Sequence, residues 1–132
     1  VVLTYPNADA GFSDYIQIIN TKLLNKKNIN IVKNLGINNY YSLLNNATVL
    51  IGNSSSGIIE SASFNLPVIN LGDRQKNRFA PSNVHHCIFE TKKIMIVYKK
   101  ILNQRKMRYL NPYAQKNCSK KVLNILYKLL SS

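Results

Sequence analysis

Short apolar runs alternate along this chain with longer stretches whose apolar residues recur every three or four positions, and each change of period marks an element boundary. Residues 1–4 predict a buried strand and residues 5–11 a loop. Ser13 is the expected N-cap of a helix whose Ile16, Ile19, Leu23 and Leu24 follow helical spacing. A second strand is predicted over 30–32, a break at Leu35-Gly36, a short helix over 40–44, and a third strand of β-branched and aliphatic residues over 48–51. The loop Gly52-Asn53-Ser54-Ser55-Ser56-Gly57 follows at once, then a short helix over 58–64 that Asn65 ends before Pro67. Residues 68–71 predict a fourth strand, 72–82 a polar loop and 84–89 a fifth strand. A helix over 92–102 carries Ile94, Val97, Tyr98 and Ile101 on one side, and a last helix over 119–130 carries Val122, Leu123, Leu126 and Leu130 after a break at Asn111-Pro112.

Strands that are apolar throughout, each separated from the next by a helix, imply a parallel sheet covered on both faces. The expected fold class is α/β, an open doubly wound parallel sheet of Rossmann-like form, with 1–132 as a single domain. In such sheets ligands gather at the carboxyl ends of the strands, which directs attention to the loops 5–11, 52–57 and 72–78.

Composition narrows the function classes. The chain has 132 residues, 45% of them apolar, which suffices for a core of its own. No apolar run reaches the roughly 18–20 residues of a membrane span. The start, Val1-Val2-Leu3-Thr4, has no signal-peptide pattern, so a cytoplasmic protein without a membrane partner is expected. Cys87 and Cys118 stand at no metal-ligand spacing and are expected to be reduced. The formal charge of +13 is uneven, with a net +1 over 1–66 and +12 over 67–132. Lysines outnumber arginines 14 to 4 and lie along helical stretches beside many asparagines, the pattern of a solvated surface. A nucleic-acid partner would instead call for arginines or for aromatics interleaved with basic residues, so nucleic acid is not the expected partner.

Three loops carry candidate chemistry. Ser54, Ser55, Ser56 and Gly57 open a helix directly after a strand, where backbone N–H groups and hydroxyls converge on a positive helix end; this suits a phosphate, while a plain N-cap would account for one serine. Glu60, one of only five acids, sits three residues past Gly57, where it either faces a ligand or completes a capping box. Arg74, Lys76 and Arg78 leave the fourth strand together, as an anion site or a solvated basic loop. Asn7 and Asp9, in the first loop, either make Asx turns or face a ligand. His85-His86-Cys87 is not a metal site by this reading, because neighbouring strand residues point to opposite faces and no further ligands cluster nearby.

Taken in order, Leu3-Thr-Tyr-Pro-Asn-Ala-Asp-Ala-Gly11, Ile51-Gly-Asn-Ser-Ser-Ser-Gly-Ile-Ile-Glu60, Leu66-Pro-Val-Ile-Asn-Leu-Gly-Asp-Arg-Gln-Lys-Asn-Arg78 and Ser82-Asn-Val84 resemble the hydrolysing UDP-N-acetylglucosamine 2-epimerases over nearly the whole chain. Glycosyltransferases of the same two-domain architecture share only a looser version. The resemblance implies a UDP-sugar held between two Rossmann-like halves of a glycosyltransferase-B-like enzyme, this chain being most of the carboxyl-terminal half. It implies that Ser54, Ser55, Ser56 and Gly57 hold the diphosphate, that Glu60 accepts hydrogen bonds from the ribose hydroxyls, and that Arg74 and Asn7 line the cleft. The implied reaction is proton abstraction at C2, anti elimination of UDP and hydration of the glycal, yielding a 2-epimer sugar for sialic-type acids with no cofactor and no metal. The family's catalytic acids and histidine segment belong to sequence that this chain does not contain. It is therefore expected to be a piece of a longer, homo-oligomeric enzyme, inactive without the amino-terminal half. Near the end, Tyr113-Ala-Gln-Lys-Asn117 stands where the family has a glycine-rich pattern.

Overall fold

The computed structural model describes residues 1–6, 12–105 and 107–131. They form two compact units, 1–43 and 44–132. Every strand pairing within them is parallel.

In the first unit, β1 (Val2–Thr4) pairs with β2 (Asn30–Val32), Leu3 standing opposite Ile31. Between them run α1 (Phe12–Ile18) and a π-helical turn, Ile19–Leu23, which widens the helix by one residue before the chain returns to the sheet. Ile19 is buried. After β2, the Asn34 carboxamide accepts the Gly36 N–H at 2.8 Å, and Gly36 takes φ +65°, a turn that starts α2 (Gly36–Asn46) four residues earlier than periodicity suggested.

The second unit is built on a three-stranded sheet ordered β3-β4-β5: Leu50–Gly52, Val68–Leu71 and Val84–Cys87. The central strand is the apolar one. Val68 and Ile69 are buried on opposite faces, as expected of a strand covered on both sides, and Leu44, Ile58, Ala62, Leu66 and Ile101 are buried with them. The single helix expected over 58–64 is divided. It begins earlier as α3 (Ser56–Ile59), continues as a 3-10 turn, Ser61–Phe64, and ends at Asn65 in the left-handed conformation, φ 52°. The division is held by polar atoms: the Ser61 hydroxyl donates to the Gly57 carbonyl at 2.7 Å, and the fully buried Asn83 amide donates to Ser61 Oγ at 2.7 Å and to the Leu66 carbonyl at 2.6 Å.

Strand β5 stops at Cys87, two residues short of expectation, because Ile88 and Phe89 turn outward to lead into α4 (Thr91–Leu102). That helix packs on β4 and β5, with Ile101 buried. Asn111 fastens the segment after it, donating to the Ile59 carbonyl at 2.9 Å and to Ser63 Oγ at 2.7 Å. The last helix, α5 (Cys118–Leu130), forms as expected, but its apolar stripe is not buried: all of its residues are exposed.

Candidate functional site

The carboxyl ends of β3 and β4 place the serine loop and the basic loop in the same unit. Beyond Gly52 the chain turns through Asn53, Ser54 and Ser55 and enters α3, the Ser55 carbonyl accepting both the Ile58 and the Ile59 N–H at 2.9 Å. Ser54 is exposed, Ser55 and Ser56 half-buried, and Gly57 buried. The Ser54 hydroxyl lies 3.3 Å from the Ser56 N–H, which donates to it. Gly57 is required by packing rather than by conformation. A Cβ there would sit 3.1 Å from Val68 Cγ1 and 3.6 Å from Leu50 Cδ2, so the missing side chain lets α3 lie directly on β3 and β4.

Glu60 ends α3, and its carboxylate accepts the Ser56 hydroxyl at 2.5 Å. Ser55, the N-cap of α3, makes no side-chain cap bond. The carboxylate is thus tied to the third serine of the loop, and serine hydroxyl, helix start and acid form one half-buried cluster.

On the neighbouring loop Arg74, Lys76 and Arg78 are all exposed, and Lys76 Nζ stands 3.8 Å from the Asp73 carboxylate, both ends in solvent. Such a pair contributes little to stability. Sequence reasoning overlooked the residue between them. Gln75 is only 4% exposed, and its amide donates to the Asn53 carbonyl at 3.0 Å, joining the β4 exit loop to the β3 exit loop. A polar residue flanked by charges gives no periodicity signal, so nothing in the pattern marked it.

Asn7 and Asp9 lie outside the described residues. At the edge of the sheet the Asn70 amide and His86 Nδ1 are 3.0 Å apart. The imidazole of His85 is held below its ordinary pKa, by burial first and by the charge of Lys100 second. Among the described residues no group of three or more metal-ligating side chains occurs, both cysteines are free, and no helix is long and apolar enough to cross a membrane.

Comparison with known proteins puts this arrangement in context. A family model described as UDP-N-acetylglucosamine 2-epimerase matches residues 1–127. The chain is 33% identical, over 126 residues, to a hydrolysing UDP-N,N'-diacetylbacillosamine 2-epimerase of Legionella pneumophila, covering 96% of this chain and 33% of that protein. It is 41% identical over 85 residues to a hydrolysing GDP/UDP-N,N'-diacetylbacillosamine 2-epimerase of Campylobacter jejuni, covering 64% of this chain and 22% of that one. A UDP-N-acetylglucosamine 2-epimerase of Neisseria meningitidis is 31% identical over 96 residues, 71% of this chain and 24% of its own length. The chain therefore spans a third or less of these relatives. In fold it is similar to the solved UDP-GlcNAc 2-epimerase of Methanocaldococcus jannaschii, with a TM-score of 0.70 at 17% identity over 96% of this chain and 35% of that one.

Proposed function

Because the chain belongs to the UDP-N-acetylglucosamine 2-epimerase family, we propose that it is the nucleotide-binding half of a hydrolysing UDP-N-acetylhexosamine 2-epimerase of the cytoplasm. The observation that carries the reading is the cluster at the end of β3, where three serines, a helix start packed on the sheet through Gly57, and Glu60 bonded to Ser56 stand together. Backbone N–H groups and hydroxyls at Ser54 to Gly57 receive the diphosphate. Arg74, on the adjoining loop, adds a guanidinium that complements two phosphoryl oxygens. Glu60 accepts the ribose hydroxyls.

In the reaction a base takes the proton from C2 of the sugar, and the C1–O bond to UDP breaks as a double bond forms between C1 and C2. Water then adds across that bond to leave the 2-epimer. What this half contributes is leaving-group stabilisation: charge gathers on the diphosphate as the C1–O bond breaks, and the donors of the serine loop and the Arg74 guanidinium lower that barrier by binding it. The base and acid come from the remainder of the polypeptide, and the product sugar feeds sialic-type acid synthesis.

Two measurements test this. Titrating UDP into the ¹⁵N-labelled chain should move the amide signals of residues 54–60, at millimolar affinity if need be, and no displacement there would refute the site. The complete gene product should release UDP from a UDP-N-acetylhexosamine with inversion at C2, whereas this chain alone should release none; turnover by the chain alone would overturn the division of labour.

A further inference from the structure

Within the loop 73–79 every residue but one is exposed, and the exception is Gln75. Its main chain is fixed by the turn, since its carbonyl accepts the Arg78 N–H at 3.1 Å, and its side chain is fixed by the 3.0 Å bond from Nε2 to the Asn53 carbonyl. The carboxamide oxygen, by contrast, is buried with no hydrogen-bond partner among the described residues. A half-satisfied buried amide is a poor choice for stability. An unpaired buried acceptor is costly, and an apolar side chain of the same shape would avoid that cost while filling the same space. Asn83, whose Oδ1 also lacks a partner among the described residues, shares that half-satisfied state, so what distinguishes Gln75 is the pair of loops that its bond joins.

What the amide does hold is the residue before Ser54, and it does so from the residue after Arg74. We infer that Gln75 is a positioning residue of the anion site: its Nε2–H to Asn53 bond locks the serine loop and the arginine loop into one register, so that both meet the same diphosphate. This rests on the nucleotide-binding reading above. Without the bond each loop would have to be ordered separately by the ligand, and that ordering entropy would be subtracted from affinity.

The test is Gln75→Met, which keeps length and volume and removes both amide atoms. NMR titration of the full 132-residue chain with UDP, beside a thermal melt, reads binding and folding separately. The expected result is a dissociation constant raised about 2- to 12-fold, the loss of one aligned hydrogen bond, with a melting temperature close to wild type because removal of the orphaned oxygen offsets the donor lost by the Asn53 carbonyl. Adding Gln75→Met to Arg74→Ala should then cost less than about twofold, since the group being positioned is absent. Unchanged UDP affinity in Gln75→Met, or a full and additive loss on top of Arg74→Ala, would overturn the positioning role. So would a fall in melting temperature that accounts for the binding loss. If wild type itself fails to shift on UDP addition, the nucleotide site is refuted and this inference falls with it; if wild type binds and Gln75→Met binds equally, only the inference falls.

Discussion

Replacing Glu60 by alanine separates recognition from architecture, because the carboxylate both bonds within its own helix and has a proposed ligand role. It accepts the Ser56 hydroxyl at 2.5 Å in a half-buried position, while the backbone bond from the Glu60 N–H to the Ser56 carbonyl at 3.0 Å survives the substitution. A hydroxyl bond to a carboxylate that is still reached by water contributes about 1 kcal/mol to folding, which in a chain of this size lowers the melting temperature by roughly 3–5 °C. The proposed role is larger. A carboxylate accepting ribose hydroxyls should be worth about 1.5–3 kcal/mol of binding, or about 10- to 150-fold in dissociation constant. Titrating UDP and 2′-deoxy-UDP into both proteins by NMR distinguishes the two. Wild type should prefer UDP, whereas Glu60→Ala should bind the two nucleotides alike and both weakly. Pyrophosphate affinity should hold or rise slightly, a negative charge having been removed beside the serine loop. If UDP affinity stays within twofold of wild type while the melt drops, the carboxylate serves α3 alone and the ribose assignment is wrong.

Asn83→Ala should destabilise the second unit by about 1–3 kcal/mol for each acceptor it abandons, the Leu66 carbonyl and Ser61 Oγ, and urea unfolding would show it as a lower midpoint at constant slope; an unchanged midpoint refutes the account of the divided helix. Gly57→Ala should cost about 1–3 kcal/mol in the same assay despite alanine's better helix propensity, because the new methyl would press on buried Val68 at 3.1 Å; stabilisation would show that α3 can lift from the sheet freely. Stability should also depend on pH through His85. Its folded pKa lies below its ordinary value, so the unfolded chain binds more protons as pH falls below about 6.5, and stability present above that pH is lost beneath it. The melting temperature at pH 5 should lie below that at pH 7.5, and His85→Gln should narrow the gap; an undiminished gap excludes this imidazole as its cause.

The parallel α/β class was legible in the sequence because its strands are short apolar runs, and a run such as Val68-Ile69-Asn70-Leu71 has few alternatives between a proline and a glycine. The place of the serine loop was legible for a similar reason: serines and glycines directly after an aliphatic run mark the exit from a strand. What periodicity could not give were features set by single polar atoms. Nothing in the spacing around Glu60 announces that α3 will end there, since the change to a 3-10 turn is enforced by Asn83, more than twenty residues away in sequence. The start of α2 at Gly36 was hidden by the habit of reading glycine as a break, when Asn34 and a left-handed Gly36 make it an entrance. Gln75 stood in a block that carried the family resemblance, but its burial was not legible, because burial of a lone amide among charges is decided by tertiary contact alone. The stripe on α5 was read correctly as helical, but its exposure was not legible, because amphipathicity states which side seeks cover and says nothing of whether cover is at hand.

That last helix behaves unlike the rest of its unit. With thirteen residues and none buried, α5 draws its stability from its own hydrogen bonds, and a helix of that length is marginal in water. Lys120, Lys121, Asn124 and Lys128 share one narrow sector, and Val122, Leu123, Ile125, Leu126, Leu129 and Leu130 sweep across the opposite side. The segment should therefore fray on a sub-microsecond scale while the strands beneath Asn83 persist for the lifetime of the fold. Far-ultraviolet dichroism would record two events on heating, a shallow early loss of helix and a later cooperative one, and deuterium would reach the amides of 118–130 long before those of β4.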